Sequence, residues 1–123
     1  MADLMSDSDV ERSLKGLDGW SHDDVYKRVH KEFTFGSFEA AVTFVQHVAS
    51  IASEMGHHPD ILIHNGGSVR ITSTTHDLGG ITEKDIALVE SLEILVNTRK
   101  CLSYSQFLDY VFFRCLINIF YQI

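Results

Sequence analysis

The chain has 123 residues, enough for one domain with a single core. Hydrophobic residues make up 45% and charged residues 22%, which excludes a disordered or fibrous polypeptide. A net charge of −7 argues against a nucleic-acid-binding surface, because neutralising phosphates takes clustered Lys and Arg.

The two cysteines, Cys101 and Cys115, match no metal or redox spacing and make no disulfide framework, so they read as reduced thiols. The opening residues carry Asp3, Asp7 and Asp9 and no basic side chain, unlike a secretory or transit signal. A cytoplasmic or nuclear setting is expected.

In chain order, Ser8–Leu17 places Val10, Leu14 and Leu17 on one helical face, with Asp9 and Glu11 near its start. Val25–Phe35 fits a period of two. Val25, Val29, Phe33 and Phe35 share one side, and Arg28, His30, Glu32 and Thr34 the other, although Lys27 and Lys31 fall on the apolar side. This predicts a hairpin turning at Asp23-Asp24. Ser37 fits the N-cap of the clearest helix, whose stripe is Phe38, Ala41, Val45, Val48, Ala52 and Met55, widened by Val42, Phe44 and Ile51. Gly56 fits the position just past its end, and Pro59 starts an extended segment.

Ile61 and Ile63 alternate with Leu62 and His64, and Asn65-Gly66-Gly67 signals a turn. Val69, Ile71 and Ser73 then alternate with Arg70, Thr72 and Thr74, which predicts a second hairpin. After Gly79-Gly80, Thr82 and Asp85 resemble a capping box opening a helix marked by Ile86, Val89, Leu92 and Val96. The order α-β-β-α-β-β-α predicts an α+β fold, a four-stranded antiparallel sheet with helices packed on one face. We divide the chain into that domain, residues 1–96, and a hydrophobic C-terminal extension, residues 97–123. Within the extension, Leu108–Ile123 is shorter than the roughly 20 apolar residues of a membrane helix and carries Asp109 and Arg114, so no membrane anchor is expected.

Seven histidines are a high share for this length. His57 and His58 follow the long helix, and His76 ends the fourth strand. If both hairpins share one sheet, the two places can meet at one rim, where imidazoles that titrate near neutrality supply both an acid and a base. His22, His30 and His47 read as solvated polar residues, and His64 as a strand-face residue near the second turn. Zinc held by His57, His58 and His76 is the rival reading. Adjacent histidines rarely point at one ion, however, and no cysteine or HxH spacing helps, so no metal is expected.

The stretch Phe33-Thr34-Phe35-Gly36-Ser37-Phe38-Glu39-Ala40-Ala41, then His57-His58-Pro59-Asp60-Ile61, Thr74-Thr75-His76, Gly80-Ile81-Thr82 and Asp85 resembles the pterin-4a-carbinolamine dehydratases. The resemblance runs from about Leu14 to Leu95. It implies removal of water from a 4a-hydroxytetrahydropterin, giving the quinonoid dihydropterin in tetrahydrobiopterin recycling, without a cofactor. By the same resemblance His57 and His76 move protons, and His58 positions the pterin. Pro59, Asp60 and Thr75 belong to the substrate-binding surround. Asp85 either orients a histidine or satisfies the amides at a helix start. The resemblance further implies a homo-oligomer, a tetramer. Some relatives double as dimerisation cofactors of a homeodomain transcription factor, so a protein-binding coactivator is the second reading. Ser53 and Gly66 stand where the family usually has a charged and an aromatic residue, and an inactive homologue is the third.

Overall fold

The computed structural model describes residues 3–101, with side-chain detail through Asn97. The elements are α1 (Asp7–Leu14), β1 (Ser21–Asp23), β2 (Arg28–Thr34), α2 (Phe38–Met55), β3 (Asp60–His64), β4 (Ser68–Ser73), a 3-10 turn (His76–Leu78) and α3 (Glu83–Cys101). The strands form one sheet in the order β1-β2-β4-β3, antiparallel throughout. This is the expected α+β architecture. Cys115 and the apolar run Leu108–Ile123 lie outside the described residues.

Strand alternation decides which face is covered. Val29 and Phe33 of β2 and Val69 and Ile71 of β4 are buried, while Arg28, Glu32 and Arg70 between them are exposed. The buried set meets Ala41, Phe44, Val48 and Ile51 of α2 and Leu88, Val89 and Leu92 of α3 in one core. Burying each of the larger aliphatic side chains contributes about 1.5–3 kcal/mol. Phe44 stacks at tilted angles on Phe33 and Phe35, with ring centroids 4.8 and 4.9 Å away, and so ties α2 to β2. Among the described residues no helix is long and apolar enough to cross a membrane.

Both hairpins follow their turn chemistry. In the second, Asn65 and Gly66 adopt left-handed backbone (φ 52° and 77°), as the sequence predicts. Gly67 is there because the chain passes too close for a side chain: a Cβ would lie 2.4 Å from the Phe35 carbonyl oxygen. The first hairpin departs from expectation. Asp23 is the last residue of β1, and its Oδ1 accepts the amides of Val25 and Tyr26 at 3.0 Å each, so the turn spans residues 24–27. The Tyr26 amide, opposed by desolvation and helped by the Val25 amide and Arg28, holds the Asp23 carboxyl below its ordinary value. Val25 therefore stands at the exposed turn tip rather than on the strand's apolar side.

Other expectations need correction. α2 faces the core with Ala41, Phe44, Val48 and Ile51, whereas Phe38 and Met55 at its two ends are exposed. His47 is buried on the same face, not solvated. The His22 side chain is likewise buried, with Nδ1 3.1 Å from Glu11 and Nε2 3.6 Å from Asp7, both on α1.

Lys31 occupies a core-side position of β2, which blurred the strand pattern. Its Nζ donates to Glu93 Oε1 on α3 at 2.6 Å, and the Trp20 indole N–H donates to the same oxygen at 2.8 Å. Lys31 and Glu93 side chains are 16% and 14% exposed, so the pair is largely desolvated and needs both partners. Glu93→Ala should lower the urea unfolding free energy by about 2–4 kcal/mol, because it strands an ammonium and an indole N–H. A change of a few tenths of a kcal/mol would show that the pair is solvated and carries no weight.

Candidate active site

The site begins where α2 ends. Gly56 is left-handed (φ 66°); its amide reaches the Ser53 carbonyl at 3.3 Å, and the His57 amide reaches back to the Ala52 carbonyl at 3.1 Å. This Schellman pair satisfies the last turn of α2 and fixes the backbone of His57. Its side chain, 11% exposed, then turns toward the start of α3, where Nε2 lies 2.5 Å from Asp85 Oδ1.

Asp85 is completely buried and takes donors on both oxygens. Oδ1 also accepts the Ser73 hydroxyl at 2.5 Å, and Oδ2 accepts the Thr75 hydroxyl at 2.8 Å and the Thr82 amide at 2.9 Å. The Thr82 bond is the reaching-back half of a capping box, and the Lys84 amide completes the helix start on Thr82 Oγ1 at 3.3 Å. Asp85 therefore does both jobs that the sequence left open: it caps α3 and holds a histidine.

A carboxylate only accepts, so His57 donates from Nε2, and in its neutral form the ring keeps its lone pair on Nδ1. The hydroxyls are ordered in the same way. Thr75 gives its one hydrogen to Asp85, so the 2.8 Å contact between Thr75 and Thr82 Oγ1 is donated by Thr82. His57, Ser73, Thr75 and Thr82 are thereby drawn around one carboxylate.

His76 follows Thr75 directly. The segment from Thr75 to Gly80 is closed by the Thr75 amide on the Gly80 carbonyl at 2.8 Å, and Gly79 turns the chain back at φ 71°. His76 opens the 3-10 turn with its side chain exposed, one residue from the group bound to Asp85. His58 is exposed beside His57, and Pro59 is half-buried.

Asp60 starts β3 and opens elsewhere. With Arg28, His30, Leu62, Arg70 and Thr72 it lines a cavity of about 240 Å³ on the helix-free face of the sheet. On that face Glu32 pairs with His64 and, at 3.2 Å, with Arg70. Desolvation pushes the Glu32 carboxyl up, but Arg70 and His64 together bring it below its ordinary value. His64 thus belongs to this charged cluster, across the sheet from Asp85. Among the described residues no three His, Cys, Asp or Glu side chains are grouped to hold a metal ion. Ser73 was missed as a site residue: alternation marked it only as an inward strand position, and nothing local shows what it meets.

The family model for pterin 4 alpha carbinolamine dehydratase matches residues 3–95. The chain belongs to the pterin-4a-carbinolamine dehydratase family. A provisionally named pterin-4-alpha-carbinolamine dehydratase of Thermosynechococcus vestitus is 40% identical over 95 residues, covering 77% of this chain and 97% of that one. One of the same provisional name from Aquifex aeolicus is 36% identical, covering 79% and 95%.

Among solved structures, a transcriptional coactivator/pterin dehydratase from Brucella melitensis superposes with a TM-score of 0.70 at 28% identity, covering 75% of this chain and 97% of that one. A pterin dehydratase-like protein identified as a RuBisCO assembly factor in the alpha-carboxysome gives 0.51 at 26% identity, covering 62% and 87%. The pterin dehydratase domain of this chain is thus held by the Asp85 cluster at the junction of α2, β4 and α3. Asp85→Ala would leave two hydroxyls, an amide and an imidazole without their acceptor. It should cost about 3–5 kcal/mol in chemical denaturation, and a loss below about 1 kcal/mol would contradict the geometry.

Proposed function

We propose that the chain is a 4a-hydroxytetrahydropterin dehydratase of tetrahydrobiopterin recycling that works by histidine acid–base catalysis. The observation that carries this reading is the Asp85 carboxylate, which holds His57 by Nε2 and, through Thr75, the segment after β4 whose 3-10 turn His76 opens. In the reaction the C4a–O bond breaks, the N5 proton leaves and a C4a–N5 double bond forms, with water as the second product. No electrons are exchanged, so the chemistry asks for one proton delivered to the departing hydroxyl and one withdrawn from N5, and for no cofactor.

His57 with a free Nδ1 and His76 on its exposed turn carry the two transfers. His58 positions the pterin, with Pro59 and Thr75 in the substrate-binding surround and Asp85 orienting His57, while Asp60 lines the helix-free cavity instead. Each imidazole is worth about 10²–10⁴-fold. In a stopped-flow assay of carbinolamine dehydration with chelator present, His57→Ala and His76→Ala should each lower kcat by that factor while unfolding stays cooperative. Undiminished turnover in either variant removes that residue from the mechanism.

A second reading is a protein-binding dimerisation cofactor, and in either reading the chain is a homo-oligomer, a tetramer, built through α2. Two observations favour it. α2 leaves Phe38 55% exposed, with Met55 open at its other end, and one structural relative is described as a coactivator. Phe38→Ser with Met55→Ser should then reduce the assembly's mass in sedimentation, whereas His57→Ala should leave it unchanged. An assembly indifferent to the α2 substitutions contradicts this surface.

A further inference from the structure

The four donors on Asp85 fall into two pairs. Thr82 N–H and the Thr75 hydroxyl share Oδ2 and tie the start of α3 to the end of β4. Oδ1 takes the Ser73 hydroxyl and the His57 ring, each at 2.5 Å. Ser73 is 1% exposed and continues the inward row of Val69 and Ile71, so an apolar side chain would suit the layer. Packing gives no reason for a hydroxyl there, but Oδ1 does.

We infer that Ser73 is a positioning residue whose hydroxyl occupies the second lone pair of Asp85 Oδ1 and so sets how strongly the carboxylate draws on the His57 proton. A donor on a carboxylate oxygen disperses its negative charge, and two donors on one oxygen divide its accepting power. Without Ser73 the charge on Oδ1 is concentrated on His57, and the doubly protonated ring is favoured. Among the described residues the His57 ring is bonded to Asp85 of α3, whose other donors are the neutral hydroxyls of Ser73 and Thr75 and the Thr82 amide. Its nearest charged residues along the chain are the exposed Glu54 of α2 and Asp60 of β3. His58, its chain neighbour, faces solvent. The kinetic meaning of this device rests on the proposed role of His57 in proton transfer; its electrostatic meaning does not.

The test is a ¹⁵N-histidine NMR titration of the full chain, with the His57 ring signals identified by their loss in His57→Gln. In Ser73→Ala the ring should keep its hydrogen on Nε2 and titrate about half a unit higher, the size expected from one neutral hydrogen bond. Ser73→Cys, a weaker donor of similar shape, should move the same way by less, and serves if the alanine variant fails to unfold cooperatively. An unmoved or lowered midpoint in a folded Ser73 variant overturns the inference.

Asp85→Asn separates the levels. If it abolishes the Nε2–H preference while Ser73→Ala changes nothing, Ser73 alone is rejected. If it too leaves the ring unchanged, the His57–Asp85 coupling fails and the inference with it. The readout does not depend on turnover. Where turnover is present, the acid limb of the kcat/KM profile should shift in parallel.

Discussion

Burying Asp85 without exposure to water obliges the chain to supply acceptor-saturating donors from its own segments, since an unpaired charge in that place would cost several kcal/mol. The donors come from three stretches that are far apart in sequence: the end of α2, the end of β4 and the start of α3. Each stretch gains something local from the arrangement. The first turn of α3 is capped, the residues after β4 are held as they leave the sheet, and His57 is held through Nε2 in one orientation. Stability and candidate chemistry therefore depend on the same atoms.

The rest of the architecture delivers those stretches to one place. The antiparallel order β1-β2-β4-β3 puts β4 in the interior of the sheet, so its end emerges beneath the helical layer. Phe44 locks α2 onto β2, and Lys31 with Trp20 reaches Glu93 on α3, so both helices are indexed to the same strand. The Schellman turn at Gly56 then sets His57 against Asp85. The helix-free face is a different environment, crossed by the Glu32 pairs with Arg70 and His64, and its cavity is separated from Asp85 by the sheet.

Much of this was legible in the sequence because it is local. The Asn65-Gly66-Gly67 turn, Ser37 before α2, Gly56 after it and the Thr82–Asp85 spacing each carry their own signal within a few residues. The period-two rows of β2 and β4 named the core face. What the sequence obscured depends on tertiary partners. Lys31 looked misplaced until Glu93 and Trp20 supplied its surroundings, and His22 and His47 looked solvated because burial of a polar side chain has no local mark. The hairpin turn was misplaced because an Asx bond from Asp23 outweighed the apolar character of Val25. At the site, motif resemblance selected His57, Thr75 and Asp85, which the fold joins by direct hydrogen bonds, whereas Ser73 required knowledge of which carboxylate lies beneath β4.

The most direct test of the account is a crystal structure of the chain with a bound dihydropterin. The ring should lie within hydrogen-bonding reach of His57 Nδ1, with the His76 imidazole flanking it and the Asp85 contacts intact. A ring seated instead in the helix-free cavity, or out of reach of both imidazoles, would contradict it.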